Sequence, residues 1–189
     1  MHIALFGGSF NPPHIAHQLV CTYALSCGGF DQLWMVPTFK HAFEKPLAPY
    51  ADRVAMCERA VEMFGGRVLV SRIEEELGGE SYTLNTVEAI EKKVPRARLS
   101  LVVGADLLHE LPSWHRYDEL QKLVSMFVIG RAGFEASPGA VPGAVQGIEL
   151  ARVSSTEIRA AIAAHKSSSL TAVVPKLVLE YIDQKGLYR

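Results

Sequence analysis

Apolar and polar residues follow one another along this chain in blocks that predict strands and helices in turn. Short apolar runs predict six buried strands, at 1–6, 33–37, 68–71, 99–103, 126–130 and about 148–153. Stretches with helical spacing of apolar residues predict six helices, at 14–27, 50–64, 82–93, 117–124, 155–165 and 175–185. This alternation predicts an α/β fold with a doubly wound, mostly parallel sheet and helices on both faces.

The expected ligand site lies at the carboxyl edge of that sheet, because ligands of open α/β sheets bind beyond the carboxyl ends of the strands. Glycine, proline or serine ends or follows every predicted strand, at Gly7, Pro37, Ser71, Gly104, Gly130 and Ser154. The segment 133–147 has loop composition without a clear period and is predicted to be a surface excursion. A chain of 189 residues suffices for one sizeable core, so we expect a single domain over 1–189.

The first motif with chemistry joins the first strand to the first helix. Gly7 and Gly8 follow the strand, and Pro12-Pro13 precede the helix. Amide groups at a helix start bind anions, and His14 and His17 share the helix face beside them, so the pattern predicts a phosphate site. A zinc-binding pair or an ordinary solvated helix face remains an alternative, although the neighbouring residues offer no carboxylate ligand.

A second motif lies near the other end of the chain. Ser154 and Glu157 have the spacing of a capping box, so a helix is predicted to begin here. The hydroxyls of Ser154, Ser155 and Thr156, with Arg159 one turn later, supply donors and positive charge for further phosphate oxygens. A capped helix without any ligand is the alternative.

The charges of the chain are nearly balanced, with 19 Lys and Arg against 20 Asp and Glu. This balance argues against nucleic acid or an anionic membrane as partner. The sequence shows neither a signal peptide of normal form nor a membrane span, so we expect a cytoplasmic protein. The sequence leaves open whether the protein is a monomer or a homo-oligomer. Cys21, Cys27 and Cys57 form no CxxC pattern and are predicted to be buried thiols.

The motifs together resemble the nucleotidylyltransferases with an HxGH-type motif, and among them the bacterial nicotinate mononucleotide adenylyltransferases. The resemblance is carried by GGSFNPPHIAH at 7–17, SYTLNT at 81–86, GADLLHELPSWHRY at 104–117, VSSTEIR at 153–159 and the closing YIDQKGLYR. The first and fourth motifs indicate nucleotide transfer, and the second and third indicate nicotinate mononucleotide as acceptor. The chain departs from the family pattern at Asn11, Ala16 and His115, where the family often has aspartate, glycine and tyrosine.

The resemblance implies a Rossmann-like fold and a division of the site residues into three groups. His14 and His17 are expected to be catalytic. The residues expected to bind ATP are Gly7, Gly8, Ser9, Phe10, Lys45, Gly104, Asp106, Arg131, Ser154, Ser155, Thr156 and Arg159. The residues expected to bind the acceptor are Asn11, Thr83, Trp114 and His115.

The implied reaction is an in-line attack of the acceptor phosphate on the α-phosphorus of ATP, which expels pyrophosphate. Positioning and preorganised donors matter most in such a reaction, and Mg²⁺ is expected to be held through the ATP phosphates rather than by a carboxylate cage. Trp114 is expected to stack on the pyridine ring and Thr83 to offer a hydroxyl. A structural aromatic at Trp114 and a helix cap at Thr83 are the alternatives, and Tyr82 is predicted to be in the core.

The sequence leaves two other functions open. The same chemistry could act on nicotinamide mononucleotide or phosphopantetheine, and the chain could instead be a nucleotide-binding regulator without turnover.

Overall fold

A computed structural model describes residues 1–40, 46–130 and 153–189. Within them, five strands form one sheet in which every strand pairing is parallel. The strand order is β3-β2-β1-β4-β5. The strands are β1 (His2–Gly8), β2 (Gln32–Pro37), β3 (Val68–Val70), β4 (Arg98–Gly104) and β5 (Ser125–Ile129).

The central strand β1 is apolar because both of its faces are covered. Ile3, Ala4 and Leu5 are at most 2% exposed. Alternate residues enter two different cores, with Ala4 on one face and Leu5 on the other. An all-parallel strand buried on both faces accounts for the uninterrupted apolar run that begins the sequence.

Helices cover both faces of the sheet, as predicted. They are α1 (Ile15–Cys27), α2 (Tyr50–Val61), α3 (Ile73–Leu77), α4 (Thr83–Lys93), α5 (Tyr117–Leu123), α6 (Ser155–Ala163) and α7 (Lys176–Lys185). Cores formed with the sheet take residues of α1 and α2 on one face and of α4 and α5 on the other, while α6 and α7 pack on α2 in a third cluster.

The structure differs from the predicted elements at a few points. β1 runs to Gly8, which pairs with Pro37, so the turn begins later than the glycines suggested. The predicted helix 50–64 is α-helical to Val61 and ends in a single tighter turn. The five-residue helix α3 was not predicted, because five residues are too few to show a period. The strand predicted at about 148–153 lies outside the described residues except for Val153, which is not in a strand. None of the described helices has the length and apolar character needed to cross a membrane.

Candidate active site at the carboxyl edge of the sheet

The site lies where the strand order reverses. β1 pairs with β2 on one side and with β4 on the other, so the chain leaves Gly8 and Gly104 at neighbouring points of the carboxyl edge. Ligands of doubly wound sheets bind at such a reversal point. A Cβ built at Gly7 would meet no atom within 4 Å, whereas one at Gly8 would come within 3.0 Å of the Phe10 ring. A side chain at position 8 would therefore crowd the Phe10 ring, whereas the space beside Gly7 is open.

The 9–13 loop connects β1 to α1 and turns the Phe10 ring inward. Phe10 has a positive φ of 44° and is 2% exposed. Its ring packs edge-on against the rings of Phe6 and His17. Phe10 therefore supports the loop from inside.

His14 and His17 form a stacked pair at the start of α1. Their ring centroids are 3.8 Å apart, with 32° between the planes. The backbone N–H of His14 donates to Nδ1 of His17 at 3.1 Å. Because Nδ1 of His17 accepts this bond, a neutral His17 ring carries its proton on Nε2.

The backbone amides at the start of α1 contribute less to an anion site than the sequence suggested. The N–H of Ile15 donates to the carbonyl of Val173, and that of His17 donates to the carbonyl of His14. Two of the first three helical amides thus bond within the chain. Side chains are left as the main donors beside this loop.

The late motif lies directly against the first one. Ser155 Oγ donates to the carbonyl of Pro12 at 2.9 Å, and Arg159 donates to the carbonyl of Asn11 at 2.8 Å. A second Arg159 nitrogen donates to Thr156 Oγ1 at 3.3 Å. α6 begins as predicted, with Ser154 in the N-cap position, but the Ser154 side chain makes no capping hydrogen bond, so the predicted capping box is wrong.

A cavity of about 490 Å³ is lined in part by the glycine pair. Its lining includes Gly7 and Gly8 together with three predicted acceptor residues, Thr83, Trp114 and His115. Thr83 is the first residue of α4, and Tyr82 before it takes the N-cap position that the sequence offered to Thr83. The cavity thus joins the predicted acceptor residues to the end of β1.

Tyr82 also lines this cavity, so its predicted place in the core is wrong. Its ring stacks on that of His115 with centroids 4.5 Å apart, and its hydroxyl donates to Glu80 at 2.5 Å. A phenol with a polar partner at the surface gains little from burial, which explains why Tyr82 lines the cavity and stays partly exposed.

The remaining predicted residues lie at or beyond the same edge. Asp106 folds back over Gly104, so that a Cβ at Gly104 would meet Asp106 Oδ1 at 2.3 Å. Ser9 is in the 9–13 loop and is partly buried. Lys45 and Arg131 lie outside the described residues.

Asn11 is 3% exposed, and its side chain bonds within the protein. Its Oδ1 accepts from the Ala48 N–H at 3.0 Å and from the Tyr188 hydroxyl at 2.9 Å. Its Nδ2 donates to the carbonyl of Pro46 at 3.4 Å. These bonds hold the loop to neighbouring segments, and the acceptor contact implied for Asn11 stays a prediction.

Sequence reasoning missed two charged residues beside the site. Glu74 lines the cavity and accepts from the Phe39 N–H at 2.9 Å and from Thr86 Oγ1 at 3.1 Å. Arg53 is 1% exposed and lies under the 9–13 loop, where burial lowers the pKa of its guanidinium. The signal for Arg53 was available, because it shares the apolar face of α2 with Cys57 and Ala60.

The described residues contain no group of three or more His, Cys, Asp or Glu side chains that could hold a metal ion. The donors brought together at the 9–13 loop are imidazole, hydroxyl and guanidinium groups. Such groups bind phosphate oxygens, whereas hard cations bind oxygen ligands.

Comparison with known proteins agrees with this geometry. Residues 5–161 match the family model described as Cytidylyltransferase-like. A protein of Anaeromyxobacter dehalogenans (strain 2CP-1 / ATCC BAA-258), named probable nicotinate-nucleotide adenylyltransferase, is 43% identical over 99% of this chain and 96% of its own length. A protein of the same name from Myxococcus xanthus (strain DK1622) is 36% identical over 100% of this chain and 95% of its own length.

The fold is also that of a solved structure. The Plasmodium falciparum nicotinic acid mononucleotide adenylyltransferase complexed with NaAD superposes with a TM-score of 0.86 at 19% identity, covering 99% of this chain and 97% of that one. The family model and the curated relatives show that this chain belongs to the Cytidylyltransferase-like family and, within it, to the nicotinate-nucleotide adenylyltransferases.

Proposed function

We propose that this protein transfers the adenylyl group of ATP to nicotinate mononucleotide, giving nicotinic acid adenine dinucleotide and pyrophosphate in NAD biosynthesis. One observation carries the proposal beyond family membership. The cavity that contains Thr83 and Trp114 is also lined by Gly7 and Gly8, which lead into the 9–13 loop, so an acceptor with its ring at Trp114 would direct its phosphate toward the loop that ends at His14.

In this proposal, the reacting phosphates are bound by His14, His17 and the start of α6. The acceptor phosphate attacks the α-phosphorus of ATP, the bond from that phosphorus to the bridging oxygen breaks, and pyrophosphate leaves. A phosphate monoester is already a competent nucleophile at neutral pH, so no general base is required. Nε2–H of His17 and the Arg159 guanidinium act as fixed donors toward oxygens on which charge builds up.

The acceptor end belongs to the cavity residues. The half-buried Trp114 offers an aromatic face to the pyridine ring, and the Thr83 hydroxyl at the start of α4 offers a donor to the ring carboxylate. His115 lines the same cavity and stacks on Tyr82. A protonated His115 would favour the carboxylate of nicotinate over the amide of nicotinamide at this position.

The donors around the 9–13 loop suit phosphate oxygens rather than a cation, so in this proposal Mg²⁺ binds to the protein through the triphosphate. When bound, it neutralises charge on the triphosphate oxygens. The chain's own contribution is to hold the phosphates with hydroxyl, imidazole and guanidinium groups.

An assay of pyrophosphate and dinucleotide release with ATP and Mg²⁺ tests the proposal. Nicotinate mononucleotide, nicotinamide mononucleotide and phosphopantetheine are supplied in parallel. We expect the highest kcat/KM with nicotinate mononucleotide, and a higher value with either other acceptor would reassign the substrate. Release with none of them, despite measurable ATP binding, would favour a regulator without turnover. The cytoplasmic location stays a prediction.

A further inference from the structure

The buried guanidinium of Arg53 is the feature that the proposed reaction has not used. Arg53 is 1% exposed on the apolar face of α2, beside the fully buried Met56 and Cys57. Burying a charge is costly, and an apolar side chain of similar size would often suit a core as well or better. Stability alone therefore does not account for an arginine at this position.

The hydrogen bonds of Arg53 go to backbone carbonyls of three segments that border the site. One terminal nitrogen donates to Ser9 at 2.9 Å, Nε donates to Ala48 at 3.0 Å, and the other terminal nitrogen donates to Phe39 at 3.5 Å. Ser9 follows β1, Phe39 follows β2, and Ala48 precedes α2. A planar guanidinium with five N–H groups in fixed directions can serve three such acceptors at once.

These bonds close a ring with the side chain of Asn11. Arg53 binds the carbonyl of Ala48, while Asn11 Oδ1 accepts from the N–H of the same residue. Arg53 also binds Ser9, which is two residues before Asn11. The Ala48 N–H is thus bonded to the 9–13 loop directly through Asn11, and the Ala48 carbonyl is connected to the loop through Arg53. The ring formed by Arg53, Ser9, Asn11 and Ala48 is called the polar ring below.

The polar ring acts on the loop from one side while α6 acts from the other. The carbonyls of Ser9, Asn11 and Pro12 accept from Arg53, Arg159 and Ser155, respectively. Their lone pairs are thereby directed into the protein. A phosphate bound beside the loop would be repelled by carbonyl oxygens that turned toward it.

We propose that Arg53 is a positioning residue for adenylyl transfer, which fixes the 9–13 loop through the polar ring and so fixes the place of His14 at the end of that loop. The inference rests on the proposed function for its kinetic part. Misplacement of reacting groups by about 1 Å can cost on the order of 10²-fold in rate, so the loss is expected in kcat more than in either KM.

The test compares Arg53→Lys with Arg59→Lys. Lysine keeps the charge but cannot serve three carbonyls in a fixed plane. Arg59 is the matched control because it lies on the same helix, donates to the carbonyl of Ala55 within that helix and stacks over Tyr181 at 4.2 Å. Both variants are assayed for kcat, for the KM of ATP and of nicotinate mononucleotide, for thermal unfolding and for amide hydrogen exchange.

For Arg53→Lys we expect kcat to fall about tenfold or more, with each KM within about threefold of the parent value. Amide exchange should become faster in peptides covering 6–14 and 46–49, while Arg59→Lys changes neither. A kcat within about twofold of that of Arg59→Lys, or unchanged exchange in both peptides, would overturn the proposal.

A second variant keeps the test decisive if Arg53→Lys does not fold. Asn11→Ala breaks the polar ring at its other side and should give the same faster exchange in the two peptides. If both single variants fold, the double variant Arg53→Lys/Asn11→Ala is also assayed. Its fold-decrease in kcat should be smaller than the product of the two single fold-decreases, because both substitutions act through the polar ring. If the parent protein releases no pyrophosphate with any acceptor, the proposed function fails while the exchange measurement still decides whether the ring orders the loop.

Discussion

The guanidinium of Arg159 donates a hydrogen bond to the carbonyl of Asn11 at 2.8 Å, although the two residues are 148 positions apart along the chain. With the bond from Ser155 to Pro12, it places the start of α6 against the loop that leads to His14. Two motifs that each have an ordinary structural explanation thus come together at one edge of the sheet. Their meeting supports a shared phosphate site better than either motif does alone.

The histidine pair yields a prediction that separates catalysis from stability. Asparagine at position 17 can still accept the His14 N–H, as Nδ1 of His17 does at 3.1 Å, but it lacks the Nε2 donor. His17→Asn keeps this bond but loses the ring contacts with Phe10 and His14, so the melting temperature should fall modestly, while kcat should fall on the order of 10²-fold. Steady-state kinetics and a melting curve measure both effects.

The control for this variant is His165→Asn, at an exposed residue after α6 whose positive φ of 55° asparagine tolerates. Its kcat should equal that of the parent protein. Equal activities of His17→Asn and His165→Asn would show that the histidine pair is not catalytic.

The cavity predicts a selective effect on the acceptor. Trp114→Ala removes the aromatic face from the cavity that also contains Thr83. The KM for nicotinate mononucleotide should rise about tenfold or more, as expected for a lost stacking contact, while the KM for ATP stays unchanged. Trp114→Phe keeps an aromatic ring, so its KM for nicotinate mononucleotide should lie between those of the parent protein and of Trp114→Ala. An unchanged acceptor KM in Trp114→Ala would mean that the pyridine binds elsewhere.

Tyr188 predicts a modest effect on stability. Its hydroxyl donates to Asn11 Oδ1 at 2.9 Å, and burial raises the pKa of this phenol. Tyr188→Phe leaves Asn11 Oδ1 with the Ala48 N–H and should lower the free energy of unfolding by about 1 kcal/mol. The melting temperature should fall by roughly 2–4 °C for a chain of this size. Tyr23→Phe, on a half-buried tyrosine of α1, serves as control, and equal melting of both variants would contradict a role for the bond.

Buried acidic groups predict a loss of stability at alkaline pH. Burial raises the pKa of the Cys21 thiol to about 12 and that of the Tyr50 phenol to about 12, and it also raises the pKa of Cys57. Because these groups hold their protons more tightly in the folded chain, their contribution is complete below the unfolded pKa, near 9 for a thiol. It is lost as the pH rises from about 9 toward about 12.

Urea unfolding across that pH range tests whether the free energy of unfolding falls as the pH rises. The free energy of unfolding of Cys21→Ala should fall less steeply with pH than that of the parent protein. Cys27→Ala is the control, because Cys27 is exposed and the predicted burial of its thiol is wrong, and it should keep the parent slope. Identical slopes for the two variants would contradict the assignment to Cys21.

The sequence predicted those parts of the fold whose patterns are local. The apolar run before Gly7 and the helical period after His14 gave β1 and α1 nearly at their observed bounds. The burial of Phe10 was harder to predict, because Phe10 is in a loop and its positive φ, which turns the ring into the core, has no signal in the sequence pattern. Tyr82 was misplaced because its position depends on a ring 33 residues away, that of His115.

The polar ring could not be predicted from spacing. Arg53 is visible as a charged residue on an apolar helix face, but its partners Ser9 and Ala48 are backbone carbonyls. Carbonyls carry no side-chain signal, so their place follows only from the folded loops. Residue type thus indicated the chemistry of the site, and the three-dimensional contacts supplied its organisation.

A crystal structure of the protein with Mg²⁺ and a non-hydrolysable ATP analogue would show directly whether the two motifs form one phosphate site. One triphosphate should be bound between the His14–His17 pair and the start of α6, within hydrogen-bond distance of both. A nucleotide bound elsewhere, or phosphates that contact one motif and not the other, would contradict it.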